Sequence, residues 1–378
     1  MSIRNKLKKL AAIFSVFGIA ACNAQLSDLP IDNTALYSTF NNDSPSSTPV
    51  RDPNFLTFFS NTYEGDPTIA QNFENNPDKR FIKFVNEAKK TLDICIYEID
   101  NDEITEAIIN AHKRGIRVRM VIDSDTAEKS SCTKRIRDAG IKIVDDGGRI
   151  AYMHNKFAVV DSAWVWTGSY NLTNNASWKH NDNVIKINSW YMAENYISEF
   201  EQMFSKKKFG RQKSSKIKHR SIHISQDKTV TTLFAPQDDV VGAIIKEISK
   251  AKNNIKFMGF SFTHDEIANA LINKEKSGVK IEGIFEYLGT TSNSSAYGKL
   301  MDGNNHIKLF IKKPAQAKAM MHHKVFVLDD KITITGSFNF SKNASVDNDE
   351  NVLIINSTSV ATDYLEEFGK VRDKSDEQ

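Results

Sequence analysis

The chain has 378 residues, of which 40% are hydrophobic, 26% charged and 10% aromatic. That balance belongs to a globular protein with room for two domains of ordinary size; it excludes a disulfide-stapled mini-protein, wholesale disorder and a polytopic membrane protein. Lysine and arginine outnumber the acids only 50 to 47, a formal net charge of +3, so bulk charge does not mark a nucleic-acid binder, although a local cluster of one sign can still act.

At the N-terminus Arg4, Lys6, Lys8 and Lys9 precede an apolar run over residues 10–21 that ends at Cys22. The run is too short for a spanning helix, which needs about 20 residues, so residues 1–21 read as a signal peptide. The step Ile19-Ala20-Ala21-Cys22 resembles the bacterial lipobox. That implies cleavage before Cys22, lipidation of this cysteine, and an exported lipoprotein anchored to a membrane and facing the periplasm or the cell exterior. Residues 22–54 are rich in Asn, Ser, Thr, Asp and Pro (Pro30, Pro45, Pro49, Pro53) and read as a flexible tether. Export would permit Cys95 and Cys132 to pair. Cys95, inside the apolar run LDICIYEI, reads more simply as a small buried residue.

Beyond the tether the chain repeats itself. MHNKFAVVD (153–161), TGSYN (167–171), NNAS (174–177) and NVIKIN (183–188) return at an offset of 168 as MHHKVFVLD (321–329), TGSFN (335–339), KNAS (342–345) and NVLIIN (351–356). Upstream, residues 88–118 lie over 251–281, and the register then absorbs a five-residue insertion in the second copy. The expected organisation is one domain over 55–204, a basic linker over 205–225, a second domain over 226–370 and a tail over 371–378.

Within each copy an apolar strand (92–97; 255–260) leads through a polar turn into a helix with apolar residues at three- and four-residue spacing, such as Ile104, Ala107, Ile108 and Ala111. Gly115 or Gly278 stops that helix, and a second strand follows at once (116–122; 279–285). Strand, helix and strand in so few residues make a right-handed parallel crossover, so the fold class is α/β. The histidine-bearing strand, a short turn, the strand ending in Gly-Ser and a terminal helix with Tyr196 or Tyr364 complete the unit. Trp164 and Trp166 share one strand face and read as core. In the linker, residues 205–220 hold eight Lys and Arg and no acid, either a solvated segment or a docking patch for anionic membrane or nucleic-acid phosphate.

Two residues apart on a strand, His154 and Lys156 project to one side, as do His322 and Lys324. Each copy offers half a site, and pairing the copies would bring two imidazoles and two ammonium groups around one phosphorus. The motif is H-x-K-x4-D closing on Asp161 and Asp329, followed by Gly-Ser-x-Asn with Ser169, Asn171, Ser337 and Asn339. Carried twice, it resembles the phospholipase D superfamily over roughly residues 55–370. The resemblance implies two tandem α/β domains related by a pseudo-twofold axis with the active site at their interface, in a monomer that is its own internal dimer.

Such a constellation suits phosphodiester cleavage, because fixed cations and oriented donors favour the charge that builds on the non-bridging oxygens. Lys156 and Lys324 are the candidate cations, and Ser169, Ser337, Asn171 and Asn339 the candidate neutral donors. The resemblance implies a phosphohistidine route with His154 as nucleophile and His322 as acid. A carboxylate must fix each imidazole tautomer, and the candidates are Asp161, Asp329, Glu350 and Asp182, the last aligned with Glu350 but one methylene shorter. No cofactor or metal is required, since His112, His180, His219, His223, His264, His306 and His323 show no ligand spacing. The expected substrate is a phosphodiester, with phospholipid ahead of nucleic acid and transfer to an alcohol as a variant of hydrolysis.

Overall fold

A computed structural model describes residues 55–378 except 61, 63–65, 226, 303 and 304. The leader and the whole tether, Cys22 included, lie outside the described residues. The first copy comprises β1 (Phe55–Phe59), α1 (Pro77–Asn86), β2 (Thr91–Ile96), α2 (Asp102–Lys113), β3 (Arg117–Ile122), α3 (Ser131–Asp138), β4 (Lys142–Asp145), β5 (Lys156–Val160), β6 (Trp164–Gly168), β7 (His180–Asn181), β8 (Asn183–Asn188) and α4 (Trp190–Phe204). The second comprises β9 (Ser221–Ser225), β10 (Lys228–Ala235), α5 (Val240–Lys250), β11 (Asn254–Gly259), α6 (Asp265–Lys276), β12 (Lys280–Glu286), β13 (Lys308–Lys312), β14 (Met320–Met321), β15 (Lys324–Leu328), β16 (Ile332–Gly336), β17 (Glu350–Asn356), α7 (Thr358–Arg372) and β18 (Asp376–Glu377).

The predicted crossover is present in both copies. Asn101 caps α2 by accepting from the Ile104 amide, Gly115 leaves the helix at φ +89°, and β3 returns parallel to β2. The first sheet runs β1-β8-β6-β5-β2-β3-β4; the second keeps that order from β10 to β13 and adds β9 and β18 at its edges. One buried cluster draws on both copies, joining Phe157, Tyr196 and Phe200 to Val325, Tyr364 and Phe368. Separate clusters cover the outer faces, one around Phe81, Ile108 and Trp166, the other around Ile248, Phe257 and Leu271. Each sheet is thus covered on both faces, which is why β5 and β15 are buried at every position. Truncating a residue of the shared cluster such as Phe157 to alanine carries a cost of about 3–5 kcal/mol.

Two expectations need correction. The segment 205–225 is not a loose linker: Lys213 is buried between Glu199 and Asp349, and its last residues form β9. The tail holds β18, paired with β13. Cys95 and Cys132 are both free and buried, so no disulfide links them. Trp166 packs in the core against Phe81 and Phe84, with ring centroids 5.2 and 5.7 Å away.

Candidate active site

The two histidines enter β5 and β15 through matched contacts between the copies. The His154 amide donates to the Asp349 carbonyl at 3.0 Å, and the His322 amide to the Asn181 carbonyl at 3.0 Å. Just upstream, the Met153 amide donates to Asp123 at 3.1 Å and the Met321 amide to Glu286 at 2.6 Å. Each histidine strand is therefore gripped by its own copy through a carboxylate and by the other copy through a carbonyl.

The carboxylates that hold the imidazoles also cross over. His154 Nδ1 lies 2.9 Å from both oxygens of Glu350, and His322 Nδ1 lies 2.8 Å from Asp182 Oδ1. Neither pair exists within a single copy. A carboxylate can only accept when ionised, so Nδ1 carries the proton in each ring and Nε2 keeps its lone pair. Burial lowers the pKa of His154, with Glu350 opposing, and lowers that of His322 further. Asp182 would be raised by its own burial, but the His322 pair outweighs this and holds it far below the usual carboxylate range.

Lys156 and Lys324 are buried behind the histidines, donating to the His154 carbonyl at 2.9 Å and the His322 carbonyl at 2.6 Å. Burial brings Lys156 down to about 8, against the pull of Glu350 and Asp182 together, and Lys324 well below its ordinary value. Each ammonium thus feels the carboxylates of both copies, as expected of one shared site. Tyr97 and Phe260 stand at matching positions, their rings 5.1 and 4.7 Å from His154 and His322.

Several residues singled out in the sequence do other work. Asp161 and Asp329 do not reach the histidines. Asp161 accepts from the amides of Lys89, Lys90 and Thr91, and Asp329 from those of Lys252, Asn253 and Asn254, so both lock the turn before β2 or β11. Ser169 and Ser337 are not free donors either. Their hydroxyls donate to Asp182 at 2.6 Å and Glu350 at 2.5 Å while accepting the amides of Asn183 and Asn351, so they brace the carboxylates. The preceding Gly168 and Gly336 are required there, because a Cβ would lie 2.2 Å from the Asn183 or Asn351 carbonyl. Asn171 and Asn339 are left with buried amide oxygens that have no protein partner.

Sequence reasoning passed over a second layer. Asn183 holds His323 Nδ1 at 2.9 Å and accepts from Thr335 and Tyr364; Asn351 holds Asn155 at 3.0 Å and accepts from Thr167 and Tyr196. The duplication of Asn and Tyr in the repeat was the available signal. Asp349, tied to Lys213 and Arg149, had no such signal, since Asn181 stands at its twin position.

Two α/β repeats that share a core and exchange carboxylates across a pair of H-x-K strands define a duplicated scaffold with one composite site. A family model described as "Cardiolipin synthase, PLD-like domain" matches residues 81–204 and again 244–372, and the chain belongs to that family. A mitochondrial cardiolipin hydrolase of Chlamydomonas reinhardtii is 36% identical over 128 residues, which are 34% of this chain and 55% of that protein. A phospholipase D of Rickettsia typhi is 29% identical over 154 residues, 41% of this chain and 73% of its own length. The chain therefore spans little more than half of the first of these relatives. The crystal structure of a phosphatidylserine synthase from Haemophilus influenzae superposes with a TM-score of 0.61 over 82% of this chain and 92% of that one, at 13% identity, and so speaks for the fold alone.

Proposed function

We propose that the chain is a phosphodiester hydrolase of the phospholipase D type that cleaves phospholipid head groups. The observation that carries this reading is the crossed pairing, in which each imidazole donates an Nδ1 hydrogen bond to a carboxylate of the other copy while a buried lysine bonds the same histidine's carbonyl. At rest both rings are neutral. An anionic diester raises the pKa of its surroundings, so one ring takes up a proton as substrate binds while the lysines regain full charge. The neutral Nε2 then attacks phosphorus, the P–O bond to the leaving alcohol breaks, and the protonated ring delivers its proton to that oxygen. Water, deprotonated by the second ring, opens the phosphohistidine and restores both. On this reading Lys156, Lys324 and the side-chain amides of Asn171 and Asn339 stabilise the equatorial oxygens.

Phospholipid is favoured by apolar residues near the site. Ile150 is fully exposed and Tyr152 half-exposed, with Tyr152 packed on Tyr97, which in turn packs on His154. On the other copy the exposed Tyr287 and Leu288 directly follow Glu286, which grips the strand leading to His322. A lipid anchor at Cys22 would hold the enzyme at such a substrate, and the chain would act as a monomer with both half-sites in place. No helix among the described residues is long and apolar enough to cross a membrane. The nuclease reading rests on the exposed Lys206, Lys207 and Lys208. Purified protein lacking residues 1–22 is to be given labelled phosphatidylcholine vesicles and single-stranded DNA. Vesicle cleavage that H154N and H322N each abolish and that EDTA does not reduce is expected; cleavage of DNA alone transfers the proposal to the nuclease reading.

A further inference from the structure

We propose that His180, Asp182 and His322 form a binding site for a divalent transition-metal ion such as zinc(II). The three residues are not a sequence motif; the fold assembles them. β7 pairs in parallel with β14, setting His180 opposite Met320 and Asn181 opposite Met321, so the His180 ring comes to 5.8 Å from that of His322. One nitrogen or oxygen ligand atom from each of the three lies within 4.8 Å of the others.

Two buried atoms there face each other with no hydrogen bond between them. His180 Nε2 is 3.1 Å from the Lys318 carbonyl, which can only accept, so Nε2 carries the hydrogen and Nδ1 is a bare lone pair. Nδ1 is buried and has no hydrogen-bond partner. At 3.8 Å from it stands Asp182 Oδ2, likewise buried and without a partner, on a side chain that is wholly inaccessible. An acceptor facing an anionic acceptor in the interior calls for a cation.

The supporting contacts are those of a metal site. A ligating histidine ordinarily donates its other N–H to a carbonyl, and a ligating carboxylate is itself hydrogen-bonded. Here Lys318 plays the first part, and Ser169 holds the other oxygen of Asp182. Nitrogen and oxygen ligands bind zinc at about 2.0–2.2 Å, so one ion bridges atoms 3.8 Å apart with little movement. For His322 to join, its Nδ1 proton passes to solvent and its bond to Asp182 gives way to the metal. The second copy shows why there is one site and not two: Asn348 takes the place of His180 and donates to Glu350 Oε1 at 3.2 Å, leaving no bare pair.

The test is calorimetric titration of the metal-free, full-length protein with zinc chloride, paired with visible absorption after cobalt(II) addition. One equivalent should bind, and cobalt should give the intense bands of a tetrahedral nitrogen and oxygen site. H180N places there the residue the other copy tolerates; it should weaken zinc binding at least about tenfold and erase the cobalt bands, while H306N at an exposed position changes neither. Absence of stoichiometric binding by the wild type, or binding that H180N leaves intact, overturns the proposal. The site borrows His322 and Asp182 from the proposed reaction, so binding is read without substrate and turnover is read separately in EDTA; metal-free protein that cleaves no diester fails the proposed function alone, whereas the zinc titration decides the metal site.

Discussion

Replacing Glu350 by glutamine tests the crossed pairing most directly. The carboxylate is inaccessible to solvent, has both oxygens 2.9 Å from His154 Nδ1, and receives Ser337 at 2.5 Å and Asn348 at 3.2 Å. Glutamine keeps the shape and one acceptor but turns the other into a donor. Where that NH2 faces the ring, Nδ1 must accept and the proton moves to Nε2, removing the lone pair needed for attack or for deprotonating water. Loss of a hydrogen bond to a charged group is worth about 1.5–3 kcal/mol, and the misplaced tautomer adds to it. Together they come to about 4 kcal/mol, or a roughly thousandfold fall in kcat/KM. Initial rates on a chromogenic diester such as bis-p-nitrophenyl phosphate, with thermal melts of the same samples, provide the measurement. The diester substrate avoids any choice between lipid and nucleic acid. A folded E350Q variant within about tenfold of wild type would show that this carboxylate does not set the tautomer.

The motif aspartates should behave in the opposite way. D161A strips the acceptor from three backbone amides and should lower stability by about 2 kcal/mol while leaving kcat of the folded fraction unchanged; a fall in kcat at unchanged melting temperature would return Asp161 to the chemistry. K213A leaves Glu199 and Asp349 buried without their shared cation and should cost about 3–5 kcal/mol in a denaturant titration, whereas a cost below about 1 kcal/mol would mean the segment 205–220 is not anchored by this residue. Burial pushes Glu286 up to about 7, from an ordinary value near 4.5. The folded state therefore holds this proton more tightly than the unfolded one. The associated stability is complete below about pH 4.5 and is lost as pH rises to about 7, amounting to roughly 3 kcal/mol. E286Q keeps an acceptor for the Met321 amide and removes the titration, so its stability relative to wild type should rise between pH 5 and pH 8; an equal difference at both pH values refutes the assignment.

The repeat made the fold legible before any contact was known. Two matched runs of strand, capped helix and strand specify the same sheet twice, and a duplicated His and Lys at a spacing of two can face a common space only if the copies pair. What the sequence could not show was which partner serves which residue. Asp161 is five residues past Lys156 and looks close, yet β5 carries it to the far end of the strand, where its φ of +52° turns the chain and its oxygens meet three amides. Glu350 is nearly two hundred residues from His154 and meets it directly. Sequence distance misleads here because a strand advances about 3.3 Å per residue, so the end of a five-residue strand is already out of hydrogen-bonding reach.

The departures from symmetry are as informative as the symmetry itself. Where the second copy has Asn348, Asp349 and Glu350, the first has His180, Asn181 and Asp182. Glu350 reaches His154 with both oxygens, and the Asp349 beside it is fixed by Lys213, Arg149 and the Gly210 amide, so the first histidine rests on a backbone clamped from the linker. The shorter Asp182 reaches His322 with one oxygen, leaving the other turned toward His180. A site whose halves differ in this way gives its two imidazoles different surroundings, which suits the proposed reaction, in which one ring is neutral and the other protonated. Exchanging the two sets of three residues between the copies should therefore swap which histidine becomes phosphorylated, as read by peptide mapping after an alkaline quench. Unchanged labelling after the exchange would place the origin of the asymmetry outside these positions.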